Sequence, residues 1–490
     1  MMSEIKIGWA QTDITPDRPV YNGGQIYPRI SKYVHDPITA TALALDNGEV
    51  QAIMVSLDLM CAPEPAVTDR IRKGLADLEG FDPKYLSLSV THTHNSMHPK
   101  PFLFDDRALE WLGEERIHMP DIPDNLLAGE EMNDFLIDRV IRVARQAWNG
   151  RRKGGVSSAS DYAAVAFNRR PIFEDGNKTE TIMYGVCARD DFVRYEAGSD
   201  HSADMIYTWS ESGELTGVAI CIPCPSQVFE LHSFLTADYW HYTRLALRER
   251  LGNIFVLPLC GAAGDQSPLD LTRISKYNVR ELEAWGAQAG EVFRNFDMAD
   301  ECRDIAMRIS DAVMRGLSKA RNCVETQPAF CHVAQTLRLP LRKVSESDYC
   351  QARTQVEQAR KTFSSDHPME GLDLVRIFEP MGVVGRYIQQ NQDEYVNAPM
   401  HFMRIGNASL IMCPFELFIE FSLRIKARAA SLQTIVVQMT DQYLDYLPTH
   451  AAVAGGSYSS APASTTCGPE CGDILVDQAL SHIKAFWSVN

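Results

Sequence analysis

A chain of 490 residues with 45% hydrophobic and 23% charged content has the make-up of a globular enzyme with a large core. A net charge of −17 without a long basic run argues against nucleic acid and anionic membrane surfaces as partners. No apolar run approaches the length of a membrane span, so a small molecule is the expected partner; nothing in the sequence speaks to oligomeric state.

Residues 5–14 read as a first strand, entered from Met1 without the basic and apolar regions of a secretion signal. Residues 39–45 and 50–57 flank Asp46-Asn47-Gly48-Glu49, a hairpin signal. A helix over 65–78 is stopped by Gly80. The β-favouring run 85–90 then delivers Thr91-His92-Thr93-His94-Asn95-Ser96-Met97-His98, which holds three of the thirteen histidines. In an extended segment residues i and i+2 share a face, which would turn His92 and His94 into one cavity. Imidazole there serves as a metal ligand or a proton carrier. Residues 100–132, rich in acids and aromatics, read as a lid-like insertion.

A helix over 133–148 is followed by short strands at 160–167, 181–187 and 205–209. The apolar run 215–223 ends at Cys224-Pro225-Ser226-Gln227, and a helix over 237–251 is expected with Thr236 as its cap and Gly252 as its stop. The strand 254–259 runs into a glycine-rich turn ending at Ser267-Pro268. Helices are expected at 302–320 and 345–363. The strand 410–413 leads to Glu416 and a helix through about 430, and 435–439 feeds Asp441 to Tyr446. A Gly/Ser/Ala/Thr-rich loop (454–466) and a helix over 473–487 follow. With no repeat and no linker, residues 1–490 read as one catalytic unit, a mixed α/β (α+β) fold of mixed sheets flanked by helices. The twelve cysteines are scattered, many within apolar runs, as suits buried free thiols in a reducing cytoplasm.

Five apolar strands thus end in reactive side chains: His92 and His94, Cys224, Ser267, Glu416 and Tyr446. Ligands of α/β proteins bind beyond such strand ends, because the sheet holds the loops rigid. A mixed N, O and S donor set suits zinc, and three or four ligands with one open position would bind water and lower its pKa to about 7. There is no HExxH helix, no P-loop lysine and no GxSxG elbow. Ser267 offers a hydroxyl to a substrate oxygen or caps a tight turn. Arg169 beside Arg170 also reads as an exposed pair, Glu416 as a helix cap, and Tyr446 and Tyr458 as ordinary aromatics.

Together these stretches resemble the catalytic domain of the neutral, non-lysosomal ceramidases, which are zinc amidases. The resemblance runs through Gly8-Trp9-Ala10-Gln11-Thr12-Asp13-Ile14-Thr15, Thr91-His92-Thr93-His94, Asn168-Arg169-Arg170-Pro171, Gly264-Asp265-Gln266-Ser267-Pro268, and Tyr443-Leu444-Asp445-Tyr446 with Tyr458 downstream. It implies His92, Glu416 and Tyr446 as zinc ligands and His94 as the group that orients or deprotonates the water. It also implies Arg169 and Tyr458 as oxyanion donors and Ser267 as a substrate contact. The family's second ligating histidine aligns to Cys224. Either Cys224 ligates as thiolate, or His232 takes over, or a ligand is lost; the negative charge of a thiolate favours His232. The family's β-sandwich domain has no counterpart, so ceramide itself is not implied. The expected activity is zinc-dependent hydrolysis of a C–N amide bond, less readily an ester, by metal-bound water. The competing readings are a non-catalytic metal or small-molecule binder and a serine hydrolase using Ser267.

Overall fold

The computed structural model describes residues 3–101, 106–273 and 299–488. Its largest sheet has eight strands: β1 (Lys6–Asp13), β2 (Thr39–Asp46), β3 (Gln51–Leu57), β4 (Leu86–Val90), β5 (Arg152–Tyr162), β6 (Ser202–Ser210), β7 (Leu215–Ile222) and β8 (Phe255–Cys260), in the order β8-β7-β6-β5-β1-β2-β3-β4. The β2–β3 hairpin turns at Gly48, whose φ of +87° only glycine adopts freely. All pairings are antiparallel except the two at the edges, β3–β4 and β7–β8.

One face of this sheet packs on helix α1 (Pro65–Gly74), α2 (Gly129–Asn149), α3 (Tyr239–Leu251) and α4 (Ala299–Ala320). Helix α2 buries Leu136, Val140, Val143, Ala144 and Ala147, the stripe that a 3.6-residue period aligns. The other face packs on a four-stranded sheet of β9 (Phe330–Pro340), β10 (Tyr395–Ile405), β11 (Ala408–Met412) and β12 (Gln433–Val437). That sheet carries α5 (Ile419–Arg428) and α6 (Pro469–Ser488) on its far side. The layers are therefore helix, sheet, sheet, helix, the mixed α/β arrangement expected. Because both sheets are covered on both faces, their strands are apolar nearly throughout.

The large sheet coils until its edges meet. Ser56 Oγ on β3 donates to the Pro258 carbonyl on β8 at 2.5 Å. The segment after β12 seals the seam: Gln438 N donates to Cys260 O at 3.0 Å, and Thr440 bridges Ser89. The loops after β4 and β7 are stitched together by His94 N to Ser226 O (3.2 Å) and Ser226 Oγ to Thr91 O (2.8 Å). Gly261, just after β8, donates to Ile222 O. The reactive strand ends are gathered by these bonds.

Some local expectations are corrected. Helix α3 is capped by Asp238, whose carboxylate accepts from Tyr239 N at 2.8 Å; Thr236 Oγ1 instead accepts from Asp238 N. Residues 182–187 form turns rather than a strand, because Tyr184 lies at φ +59°. Strands β9 and β10 and the helix Leu372–Gln390 are additions. The helix Asp106–Leu112, within the expected lid, packs with Glu346–Thr362 and Leu372–Gln390 in one satellite cluster; residues 102–105 of that stretch lie outside the described residues. All twelve cysteines are free, eight of them buried. Among the described residues no helix is long and apolar enough to cross a membrane.

Candidate active site

The chain leaves β4 through Thr91 and enters His92 at φ +60°. The left-handed conformation is uncommon for a non-glycine residue, histidine being among the types enriched there. The His92 and His94 rings do meet, centroids 4.7 Å apart and nearly perpendicular, but by this backbone twist rather than by strand alternation. His92 Nδ1 donates to Met60 O at 2.5 Å. Its Nε2 faces Glu416 Oε2 at 3.3 Å and His94 Nε2 at 3.3 Å.

Glu416 and Tyr446 are direct partners in a two-residue parallel ladder, which explains how residues from separate strand ends arrive together. Glu416 is no helix cap: α5 has Phe418 at its cap position, and Ile419 N is bonded by Asp265 Oδ1 at 2.9 Å. Tyr443 OH donates to Glu416 Oε1 at 2.8 Å, while the buried Oε2 accepts no hydrogen bond. Behind them Gly264 leaves no room for a side chain, since a Cβ would stand 2.5 Å from Glu416 O.

Arg169 and Arg170 are both buried, not an exposed pair. Arg170 is committed to Glu196, at 2.7 Å, and to the loop at Gly456 and Ser459. Arg169 reaches the site: one terminal nitrogen donates to Tyr184 OH (2.6 Å) and Gln227 Oε1 (3.3 Å), the other to Gly264 O (2.9 Å) and Tyr446 OH (3.2 Å). The latter nitrogen lies 3.9 Å from Glu416 Oε2.

Burial alone would raise the Glu416 carboxyl, but His92, then Arg169 and the Tyr443 hydroxyl, hold it below the usual carboxylate range. Burial and the adjacent His92 push His94 well below the usual imidazole range. Burial, with Glu416 nearby, pushes the Tyr446 phenol well above its ordinary value.

Neither residue offered for the missing ligand joins this cluster. The Cys224 thiol donates to the carbonyls of Val165 and Pro225 within the apolar core, and burial raises it well above the usual thiol range. His232 stacks on Phe234, and its carbonyl accepts from Arg29, Asn22 and Asn95. Ser267 is fully buried, paired with Phe167, and its Oγ accepts from Leu269 N at 3.2 Å; it meets no histidine, so it is a turn residue rather than a nucleophile or substrate contact. Tyr458 is at the rim, 38% exposed, its ring 5.7 Å from that of Tyr446.

Several groups went unforeseen. Glu230 Oε2 stands 3.6 Å from His94 Nδ1 and accepts from Gln227 Nε2 at 2.5 Å. Arg29 clamps the carbonyls of Glu230 (2.8 Å) and His94 (2.8 Å). The only sequence signal for Glu230 was an acid six residues beyond Cys224.

Imidazole nitrogen, carboxylate oxygen and phenol oxygen are the donors of a first-row metal, and a buried carboxylate oxygen without a donor is what a cation would satisfy. These residues therefore fit zinc. Among the described residues no three His, Cys, Asp or Glu side chains form a ready-made cage, so Tyr446 has to count among the donors.

No protein-family model matches the sequence, and no relative is found among curated proteins. Solved structures do match. Neutral ceramidase from Pseudomonas aeruginosa aligns with a TM-score of 0.65 at 16% identity, over 99% of this chain and 75% of that one. A ceramidase complexed with C2 aligns at 0.64 and 16% identity, over 99% and 76%. The chain has the fold of neutral ceramidase.

Proposed function

We propose that this chain is a zinc-dependent hydrolase that cleaves the C–N bond of an N-acylated small molecule. The reading is carried by Glu416 Oε2, a buried carboxylate oxygen without a hydrogen bond, faced by His92 Nε2 and Arg169. The likeness to ceramidases supports a long-chain N-acyl amide as the substrate class. His92, Glu416 and Tyr446 would hold the zinc. When bound, zinc polarises a carbonyl and makes water acidic enough to act near neutral pH.

The chain's own residues do the rest. Arg169, locked by four hydrogen bonds, is a preorganised positive charge beside the place where the amide oxygen gains charge. Tyr458 is the second donor for that oxygen, at the open side of the site. Its ring also packs at 5.5 Å on Phe378 of the helix Leu372–Gln390, so the lid comprises this helix together with residues 100–132. We take residues 1–490 as one catalytic unit, and twelve free thiols suit a reducing cytoplasm.

The test is a panel of short and long N-acyl amides with their matched esters, offered to zinc-loaded protein. Amide cleavage abolished by a chelator and restored by zinc is the expected result. Cleavage indifferent to chelation, or none after zinc loading, overturns the reading.

A further inference from the structure

We infer that His94 is itself a metal ligand, through Nε2, and that Glu230 is the carboxylate that orients it. This rests on the zinc reading above and changes the duty of His94 from proton carrier to donor. It also answers what replaces the imidazole missing at Cys224.

Hydrogen-bond bookkeeping leads there. His92 Nδ1 faces a carbonyl, which only accepts, so it carries the proton and leaves a lone pair on Nε2. His94 Nδ1 faces the Glu230 carboxylate at 3.6 Å, so its proton belongs there and its lone pair is again on Nε2. The two Nε2 atoms point at each other across 3.3 Å. Two lone pairs in that position repel unless a cation lies between them. Nitrogens about 2.0–2.1 Å from a tetrahedral zinc are about 3.3 Å apart along the tetrahedron's edge. Glu416 Oε2 stands at the same 3.3 Å from His92 Nε2.

The surroundings match. Metal-bound histidines commonly donate their other ring proton to a carboxylate or a backbone carbonyl, and each partner is present, Met60 O for His92 and Glu230 for His94. Glu230 is held by Gln227, which also accepts from Arg169. The Arg29 clamp fixes the His94 and Glu230 backbones relative to each other. Cys224 and His232 have no such partners, their contacts being to the apolar core and to Phe234.

The experiment uses full-length protein titrated with zinc against a chromophoric chelator, with the imidazole count at the metal read by X-ray absorption. Wild type is expected to bind one zinc with two imidazoles. His94→Gln should weaken zinc binding at least about 100-fold and leave one imidazole. Glu230→Gln should weaken it about 10–100-fold with both imidazoles kept. Cys224→Ser and His232→Ala should stay within about threefold of wild type, and circular dichroism should report all four folded. One imidazole in wild type, a His94→Gln protein that binds zinc as wild type does, or loss of zinc in Cys224→Ser overturns the inference while leaving the zinc hydrolase intact. Wild type that takes up no zinc overturns both.

Discussion

His401 Nε2 lies 2.7 Å from Asp441 Oδ2, in the seam between the two sheets. The other nitrogen of His401 is 2.9 Å from His332 Nε2, and His332 Nδ1 is 2.9 Å from Gln51 O. Since both end partners only accept, the three bonds require three N–H protons on two rings, and the pair carries one positive charge. Burial would raise the Asp441 carboxyl, but His401, then Arg72 and the Leu88 amide, hold it below the usual range. This buried ion pair anchors the segment that carries Tyr443 and Tyr446. Asp441→Asn should therefore destabilise the protein by about 3–5 kcal/mol, because it strands the charge on the histidines. Urea denaturation measures this, and a loss below about 1 kcal/mol would show that the pair is not an anchor.

Burial, reinforced by His401, lowers His332 to about 3. The unfolded chain then takes up this proton near pH 6.5 and the folded one only near 3. Stability from this group is fully present above pH 6.5 and is lost as pH falls from there toward 3. His332→Gln, whose amide keeps a donor and an acceptor, should flatten that loss. Urea midpoints at pH 6.5 and 4.5 should differ less in the variant than in wild type; equal or greater acid sensitivity contradicts the assignment.

Arg169 makes four hydrogen bonds from its two terminal nitrogens. A lysine ammonium cannot reproduce that fork. Under the hydrolase reading, Arg169→Lys should lower kcat by about 10²–10³, with zinc content unchanged. Near wild-type turnover in this variant would remove Arg169 from the mechanism.

Gly24 presses on the histidine loop. Its φ is +101°, and a Cβ there would stand 2.5 Å from His94 O and 2.6 Å from His94 Cβ. Gly24→Ala should cost about 1–3 kcal/mol in strain and, by displacing His94, about 100-fold in turnover. Thermal melting and steady-state kinetics together check this; an unchanged rate would mean the loop relaxes without moving the ring.

Ser267 is buried and engaged with Leu269 N. Ser267→Ala should keep activity within about threefold and cost about 1 kcal/mol for the lost turn bond. A fluorophosphonate probe should leave the wild-type serine unlabelled. Labelling at Ser267 would revive the serine-hydrolase reading.

The sequence by itself determined the places where apolar runs break into polar turns, and so the positions of His92, His94, Arg169, Glu416 and Tyr446. Those breaks are written in local composition and period, as is the β2–β3 hairpin at Asn47-Gly48. Strands β9 and β10 escaped because residues such as Phe402 and Met403 face apolar layers on opposite sides, which erases the alternation that marks a strand. Only the tertiary structure decided which donors meet. The Cys224 thiol turns into the core, Ser267 closes a turn, and Glu230 arrives beside His94. Direction in space is set by backbone twists such as His92 at φ +60° and by pairings such as Glu416 with Tyr446, between segments far apart in the chain. No local pattern encodes either.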